Sequence, residues 1–346
     1  MLDEVSRPSS ANTPGSTAVP DWRRVFDGRL RLPVIGAPLF IISNPALVIA
    51  QCKAGIVGSF PSLNARPDTR LDEWLHEITE ALAAHDRDHP DRPAAPFAVN
   101  QIVHRSNGRL EHDLAVCARY RVPIVITSLG ARPEVNEAVQ GWGGITLHDV
   151  INRTFARKAI EKGATGLIAV AAGAGGHAGT ISPFALLAEI REWFDGPVAL
   201  SGSIANGRSI LAARAMGADF AYVGSAFIAT TEANADARYK QMLVDGGADD
   251  IVYSNVFTGV HGNYLIPSIT AAGLDPTALD KVEAVTMDFG ARDESGKQVK
   301  AWRDVWGSGQ GISSIKAVMP AAELVARFAA EYDGAARDEP RVRLRG

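Results

Sequence analysis

Cysteine is nearly absent: Cys52 and Cys117 are the only two in 346 residues. Two cysteines cannot build a disulfide framework, and these do not stand at a metal-binding spacing. Both lie inside helix patterns, where a free thiol is commonly buried, so no cysteine nucleophile is expected. A reducing, cytoplasmic setting is the simplest expectation. No apolar run approaches the roughly 20 residues that a bilayer-spanning helix needs, so no membrane is expected as a partner. Neither sign of charge dominates: 35 Lys and Arg stand against 39 Asp and Glu, for a formal net charge of −4. That balance excludes a general attraction to nucleic acid. The G-x-x-x-x-G-K-[ST] phosphate loop is missing, and no G-x-G-x-x-G follows a first strand. Neither H-E-x-x-H nor a Cys/His cluster is present. A nucleoside triphosphate, a dinucleotide-binding open sheet and a bound metal are therefore not expected.

What the chain has in quantity is glycine, 33 residues, within a 46% apolar composition of globular type. The stretch GLIAVAAGAGGHAG, Gly166 to Gly179, shows how the glycine is used. A continuous apolar run, Leu167 to Ala172, reads as a strand buried on both faces. It breaks into Gly173, Gly175 and Gly176, where backbone can bend sharply or lie close to a ligand. His177 follows, with the side chain whose unperturbed pKa lies nearest neutrality.

Similar units recur along the chain. Apolar runs at 33–41, 56–60, 97–103, 123–130, 144–150, 167–172, 197–204 and 220–230 read as eight strands. Between them lie helix patterns at 71–85, 110–120, 133–140, 152–162, 183–194 and 207–216. A further helix is opened by Asn44 as N-cap and Pro45 at the first helical position. Strict βα alternation implies a parallel sheet with right-handed crossovers, and eight units fit an α/β (β/α)8 TIM barrel better than an open sheet. The alternation stops after Thr230. Residues 231–320 read as an insertion or lid subdomain, with a polar helix at 231–244 and another at 279–289, before a last helix at 320–332. Residues 1–20, rich in Ser, Pro and Thr and without a signal-peptide core, read as a leader; 333–346 read as a solvated tail. The barrel domain is thus expected over 21–332.

Barrel enzymes work at the C-terminal ends of their strands. Those ends offer Ala37, Pro38 and Leu39; Asn100; Ser128; Gly175, Gly176 and His177; Gly202 and Ser203; and Gly224 and Ser225. The Gly-Ser pairs ending strands seven and eight suit a phosphate group, with Asn206 and Gly207 opening a helix whose N-terminus adds partial positive charge. His177 on the same face is a candidate general base. His148 ends strand five and could face the site, and His261 in TGVHGN could belong to a lid. Phe40, Phe60 and Phe257 could shape a small apolar pocket. The remaining histidines, His76, His85, His89, His104 and His112, read as solvated.

Taken together, GAP at strand one, VN at strand three, AGAGGH at strand six, SGSIANG at strand seven and GSAFIATTEA at strand eight resemble the nitronate monooxygenase family, formerly 2-nitropropane dioxygenase. The agreement runs from Leu32 to Ile269, and GQG around Gln310 is similar to the family's C-terminal segment. The resemblance implies FMN contacts at Ala37, Pro38, Leu39, Asn100, Ser128, Gly175, Gly176, Gly202, Ser203, Gly224 and Ser225, with His177 as catalytic base. It implies oxidation of alkyl nitronates, and of nitroalkanes, by O2 to a carbonyl compound and nitrite. The partners are then a small-molecule substrate and O2, and a homodimer is compatible with the reading. Three departures stand out: Gly36 and Leu39 flank the first Ala-Pro where the family often has Gln and Met, Ser203 replaces a second glycine, and Ser225-Ala226 replaces Thr-Arg. Loss of that Arg leaves backbone amides to carry more of the phosphate binding. An NAD(P)H-dependent flavin reductase acting on a quinone or enoyl thioester, and a non-catalytic phosphate-binding barrel, are the alternatives.

Overall fold

The computed structural model describes residues 21–279 and 305–338. Eight parallel strands form its centre: β1 (Val34–Gly36), β2 (Gly58–Pro61), β3 (Phe97–Ile102), β4 (Ile124–Ser128), β5 (Ile145–Val150), β6 (Gly166–Val170), β8 (Val198–Ser201) and β9 (Phe220–Val223). They pair in the order β1-β9-β8-β6-β5-β4-β3-β2. The Gly36 amide donates to Val57 O (2.8 Å) and the Val57 amide to Val34 O (3.0 Å), bringing the two ends of the sheet together. The outcome is the expected TIM barrel.

Around the strands run α1 (Pro45–Lys53), α2 (Arg70–Asp88), α3 (Leu110–Arg119), α4 (Pro133–Gly141), α5 (Arg153–Glu161), α6 (Pro183–Arg191) and α7 (Gly207–Ala215). Asn44 caps α1 by accepting from Leu47 N, with Pro45 behind it, as its sequence signature requires. Side chains from alternate strand positions fill the barrel: Ile35, Val57, Ala98, Ile124, Ile126, Ile145, Leu147, Ile168, Ala199 and Phe220. One end is plugged. Phe26 lies 4.7 Å from Phe220, the first residue of β9, and Trp22 packs edge-on against both rings. Because that plug sits at the strand starts, the C-terminal ends form the open mouth.

Three expectations are corrected. The run 220–230 is strand only to Val223; it then breaks at Gly224 into a single helical turn, α8 (Ser225–Ile228). The polar helix read at 231–244 begins later, as α9 (Ala237–Asp245), where Asp236 caps it by accepting from Arg238 N. The last helix is α11 (Ala321–Arg337), so the first part of the expected tail is helical. The helix expected at 279–289, apart from Leu279, the leader 1–20 and the final residues 339–346 lie outside the described residues.

Beyond α9 the insertion forms a hairpin, β10 (Ile251–Ser254) and β11 (Gly262–Leu265), followed by α10 (Ile266–Ala271). β11 pairs antiparallel with a two-residue strand, β7 (Gly176–His177), in the register Gly262 with His177 and Asn263 with Gly176. The insertion is therefore tied to the strand that bears the candidate base.

α11 returns across the barrel and packs on α7 through Leu324, Val325 and Phe328. The contact is close at Gly207, where a Cβ would lie 2.3 Å from both Phe328 O and Tyr332 N. Gly207→Ala is expected to force the helices apart at a cost of about 1–3 kcal/mol. Gly334→Ala, inside α11 with open space around it, should be neutral or stabilising by up to about 1 kcal/mol. Urea unfolding of both variants tests this; equal effects would contradict the packing described.

Candidate active site

Three non-glycine residues at the mouth hold left-handed backbone: Ile41 (φ 67), Leu129 (φ 62) and Ser203 (φ 55), after β1, β4 and β8 respectively. Such conformations cost about 1–3 kcal/mol each and persist where surrounding contacts enforce them. Asn64 enforces the first. Its Oδ1 accepts from Ile41 N (2.8 Å), while its Nδ2 donates to Leu39 O and Ser43 O (both 2.9 Å). Asn64, which sequence reasoning missed, thus shapes the turn carrying Ala37, Pro38 and Leu39. Across the barrel, Asn100 Nδ2 donates to Ser128 Oγ (2.8 Å) and Ile126 O (3.2 Å), joining the expected residues of β3 and β4.

The glycines after β6 do two different things. A Cβ on Gly175 would lie 2.8 Å from Gly309 N, and one on Gly173 would lie 2.2 Å from Ser203 Oγ and 3.0 Å from Gln310 Oε1. Both make room for the chain's own segment 307–311, so Gly175 serves a backbone approach that the sequence did not reveal. Gly176 (φ +66) has nothing within 4 Å of its Cβ position. It is the glycine that borders open space. The segment is fixed by Gln310 N donating to Gly173 O (3.0 Å) and Gly309 N donating to Ser225 Oγ (2.9 Å). Ser225 is therefore already engaged by the C-terminal segment.

The α7 N-terminus does not contribute as expected. Asn206 and Ser209 form a reciprocal capping box, and the Glu331 carboxylate accepts from Gly207 N (2.7 Å). A carboxylate of the chain itself occupies the favourable end of the helix dipole. The Gly202-Ser203 turn (Gly202 φ +134) and the Gly224-Ser225 turn remain, with Ala226 buried where the family's arginine would stand.

His177 is half-buried, and its Nε2 lies 3.1 Å from Thr258 Oγ1. Thr258 donates its one hydroxyl hydrogen to Val260 O (2.9 Å) and also meets the Tyr264 hydroxyl (3.3 Å). With the Thr258 hydrogen directed at Val260 O, Thr258 Oγ1 is placed to accept from His177 Nε2. His148 does not join the site. Its position on β5 alternates with the inward Leu147, so it faces the helices, with Nδ1 2.6 Å from Thr127 Oγ1. His261 is exposed and stacks on Tyr253 at 5.2 Å. Phe60 also points outward, into the core shared by α1 and α2 and against Trp74 at 5.5 Å. Phe257 packs on Tyr264 at 4.8 Å within the insertion. Only half-buried Phe40 remains beside the first turn, with the Arg66 guanidinium over its ring.

Comparison with known proteins bears on this arrangement. Residues 29–331 match the family described as nitronate monooxygenase. A nitronate monooxygenase of Paraburkholderia phytofirmans is 27% identical, over 86% of this chain and 92% of its own. The chain belongs to the nitronate monooxygenase family. It is accordingly a flavin-dependent oxidoreductase. Among solved structures, nitroalkane oxidase from Streptomyces ansochromogenes superposes with a TM-score of 0.70 at 24% identity, covering 89% of this chain and 97% of that one. FabK from Thermotoga maritima gives 0.71 at 22% identity, over 90% and 96%. Both show the shared barrel fold.

Burial governs protonation of the titratable groups in and around the barrel. It lowers His177 to about 4, and lowers His148, with help from the Lys162 charge, also to about 4. Burial raises Asp149, an inward residue of β5 that sequence reasoning passed over, from 3.8 to about 6. Cys52 and Cys117 are pushed up to about 12, so neither is a nucleophile. Among the described residues no cluster of three His, Cys, Asp or Glu could hold a metal ion.

These shifts set the acid response. Both imidazoles bind protons more readily in the unfolded chain. Each contributes stability that is complete above pH 6.5 and lost as pH falls toward 4, at most about 3 kcal/mol apiece. Asp149 has the opposite sign, contributing stability that is present below 3.8 and lost as pH rises through about 6. Two histidines outweigh one carboxyl, so stability should fall from pH 7 to pH 4. Asp149→Asn should steepen that fall and His148→Gln should flatten it. Denaturation midpoints at pH 4, 5.5 and 7 decide the matter, and the reverse order would contradict the assignment.

Proposed function

We propose that the open mouth binds FMN and that the enzyme oxidises alkyl nitronates with O2 to a carbonyl compound and nitrite. The observation carrying this reading is the convergence, at one end of the barrel, of His177, the open space at Gly176, the Asn100-Ser128 pair and the two Gly-Ser turns. The donor set fits such a cofactor. Asn100 and Ser128 suit the polar edge of a planar ring, and the Gly202-Ser203 and Gly224-Ser225 turns suit a phosphate through backbone amides and the Ser203 hydroxyl. When bound, the flavin supplies the electron-accepting chemistry and the route to O2. The protein orients the substrate and manages its proton.

The environment of His177 favours one form of substrate. With a pKa lowered to about 4, the ring is neutral and ready to accept a proton throughout the neutral range. Such a weak base has little driving force for taking a proton from carbon. A nitronate, whose proton has already left, does not require that step. The proposed order of preference is therefore nitronate before neutral nitroalkane, with the His177 ring as the acceptor for the latter.

His177→Asn should retain bound FMN and lower nitroalkane turnover by about 10²–10⁴, while nitronate turnover falls less than about tenfold. Nitrite release from matched nitroalkane and nitronate solutions, alongside the flavin-to-protein ratio, checks this. An equal loss on both substrates would remove the base from the account.

A further inference from the structure

The imidazole of His177 is bonded by a side chain from outside the barrel. Thr258 stands in the turn between β10 and β11, and it is buried together with Phe257 and Tyr264. That turn reaches the base because the hairpin is tied to the backbone around it. Gly262 pairs with His177, and the Ala178 amide donates to His261 O at 3.2 Å. Tyr253 on β10 donates its hydroxyl to Ala178 O at 2.9 Å. Backbone pairing sets where the Cα of His177 lies, but it does not fix the ring about χ1 and χ2. The Thr258 hydroxyl bonds the ring itself, 3.1 Å from Nε2.

A hydroxyl has one hydrogen to give and two lone pairs to offer. Three groups lie within reach of the Thr258 hydrogen: Val260 O at 2.9 Å, His177 Nε2 at 3.1 Å and the Tyr264 hydroxyl at 3.3 Å. They are not equivalent. Val260 O is the nearest, and a backbone carbonyl can only accept. Tyr264 and His177 can each present a hydrogen of their own. With its hydrogen on Val260 O, the Thr258 oxygen accepts from Nε2 and from the phenol, and all three bonds are made. Turning that hydrogen toward Nε2 would give up the bond to Val260 and gain none. The Val260 amide, which donates to the same oxygen at 3.4 Å, also marks it as an acceptor. In a buried cluster such a lost bond is costly, because water does not replace it.

We propose that Thr258 is a positioning residue for the base: it holds the His177 imidazole in the tautomer protonated at Nε2 and leaves Nδ1 to take the substrate's proton. This rests on the reading of His177 as the base for neutral nitroalkanes. A neutral imidazole carries its proton on one nitrogen, and the hydrogen bond made by that nitrogen decides which one it is. A base oriented by a third group is the recurrent arrangement in proton-transfer catalysis, and the wrong tautomer presents N–H where a lone pair is needed. The insertion thus supplies the hydroxyl that prepares the base. A nitronate, from which no proton has to be taken, draws less on that preparation.

Nitrogen NMR of protein labelled at histidine reads the tautomer without turnover, the His177 signals being those lost in His177→Asn. At pH 7, where the ring is neutral, the wild type is expected to show a protonated Nε2 and an unprotonated Nδ1. Thr258→Val removes the hydroxyl; it should shift population toward the Nδ1-protonated form and lower the ratio of nitroalkane to nitronate kcat about tenfold. Thr258→Ser should restore the wild-type tautomer and keep that ratio within about threefold of wild type. A wild-type ring protonated at Nδ1 would overturn the proposal even if no variant folds. So would a Thr258→Val protein with unchanged tautomer or unchanged ratio. Nitroalkane turnover that survives His177→Asn would instead overturn the reading of the base, and the role of Thr258 with it, while the tautomer stands as measured.

Discussion

The antiparallel pairing of β11 with β7 is the contact on which the candidate site depends. Two residues, Gly176 and His177, cannot hold extended backbone unaided, because an isolated two-stranded pairing is marginal in water. Here β10 supports β11 through four register pairs, and the insertion core of Val256, Phe257, Tyr264 and Ile269 supports the hairpin. Asn263 adds a donor to Ala174 O at 2.7 Å, and Tyr253 one to Ala178 O at 2.9 Å. The histidine is thus positioned from outside the barrel. Thr258, which bonds its ring, comes from the same insertion.

A second constraint is that, among the described residues, no Lys or Arg bonds to the two Gly-Ser turns. The dipole end of α7 is occupied by Glu331, and Ser225 is held by Gly309. Ala226, which the resemblance sets where the family often has an arginine, is buried. The Ser203 amide is likewise engaged, donating to Gly173 O at 3.2 Å. On the inner face stands Asp149, whose carboxyl burial pushes up to about 6. Potential across the mouth is therefore set by burial and fixed dipoles, which are strong only where water is excluded.

Much of the fold could be read from the sequence because each βα unit carries local signals. The caps at Asn44 and Asn206 and the apolar run leading to His177 depend on neighbours within a few residues. What could not be read is which way a strand residue points. Barrel strands are apolar on both faces, so the pattern does not mark inside from outside. His148 and Phe60 were therefore read toward the site although both face outward, while Asp149 was passed over. Counting in twos from the buried Ile145 would have found it. Gly175 and Ser225 raise a different problem. Their partner, the 307–311 segment, lies about 80 to 130 residues further along the chain, and Glu331 reaches α7 from a similar distance. No local rule anticipates such contacts.

The central claim is that electrons enter this protein from a nitronate. Anaerobic mixing of the FMN-loaded enzyme with an alkyl nitronate, and separately with NADH and NADPH, tests it directly. The account predicts that the nitronate bleaches the visible flavin absorbance within turnover time, and that neither nicotinamide does so. Rapid bleaching by NADH or NADPH, with no response to nitronate, would contradict it and identify a reductase.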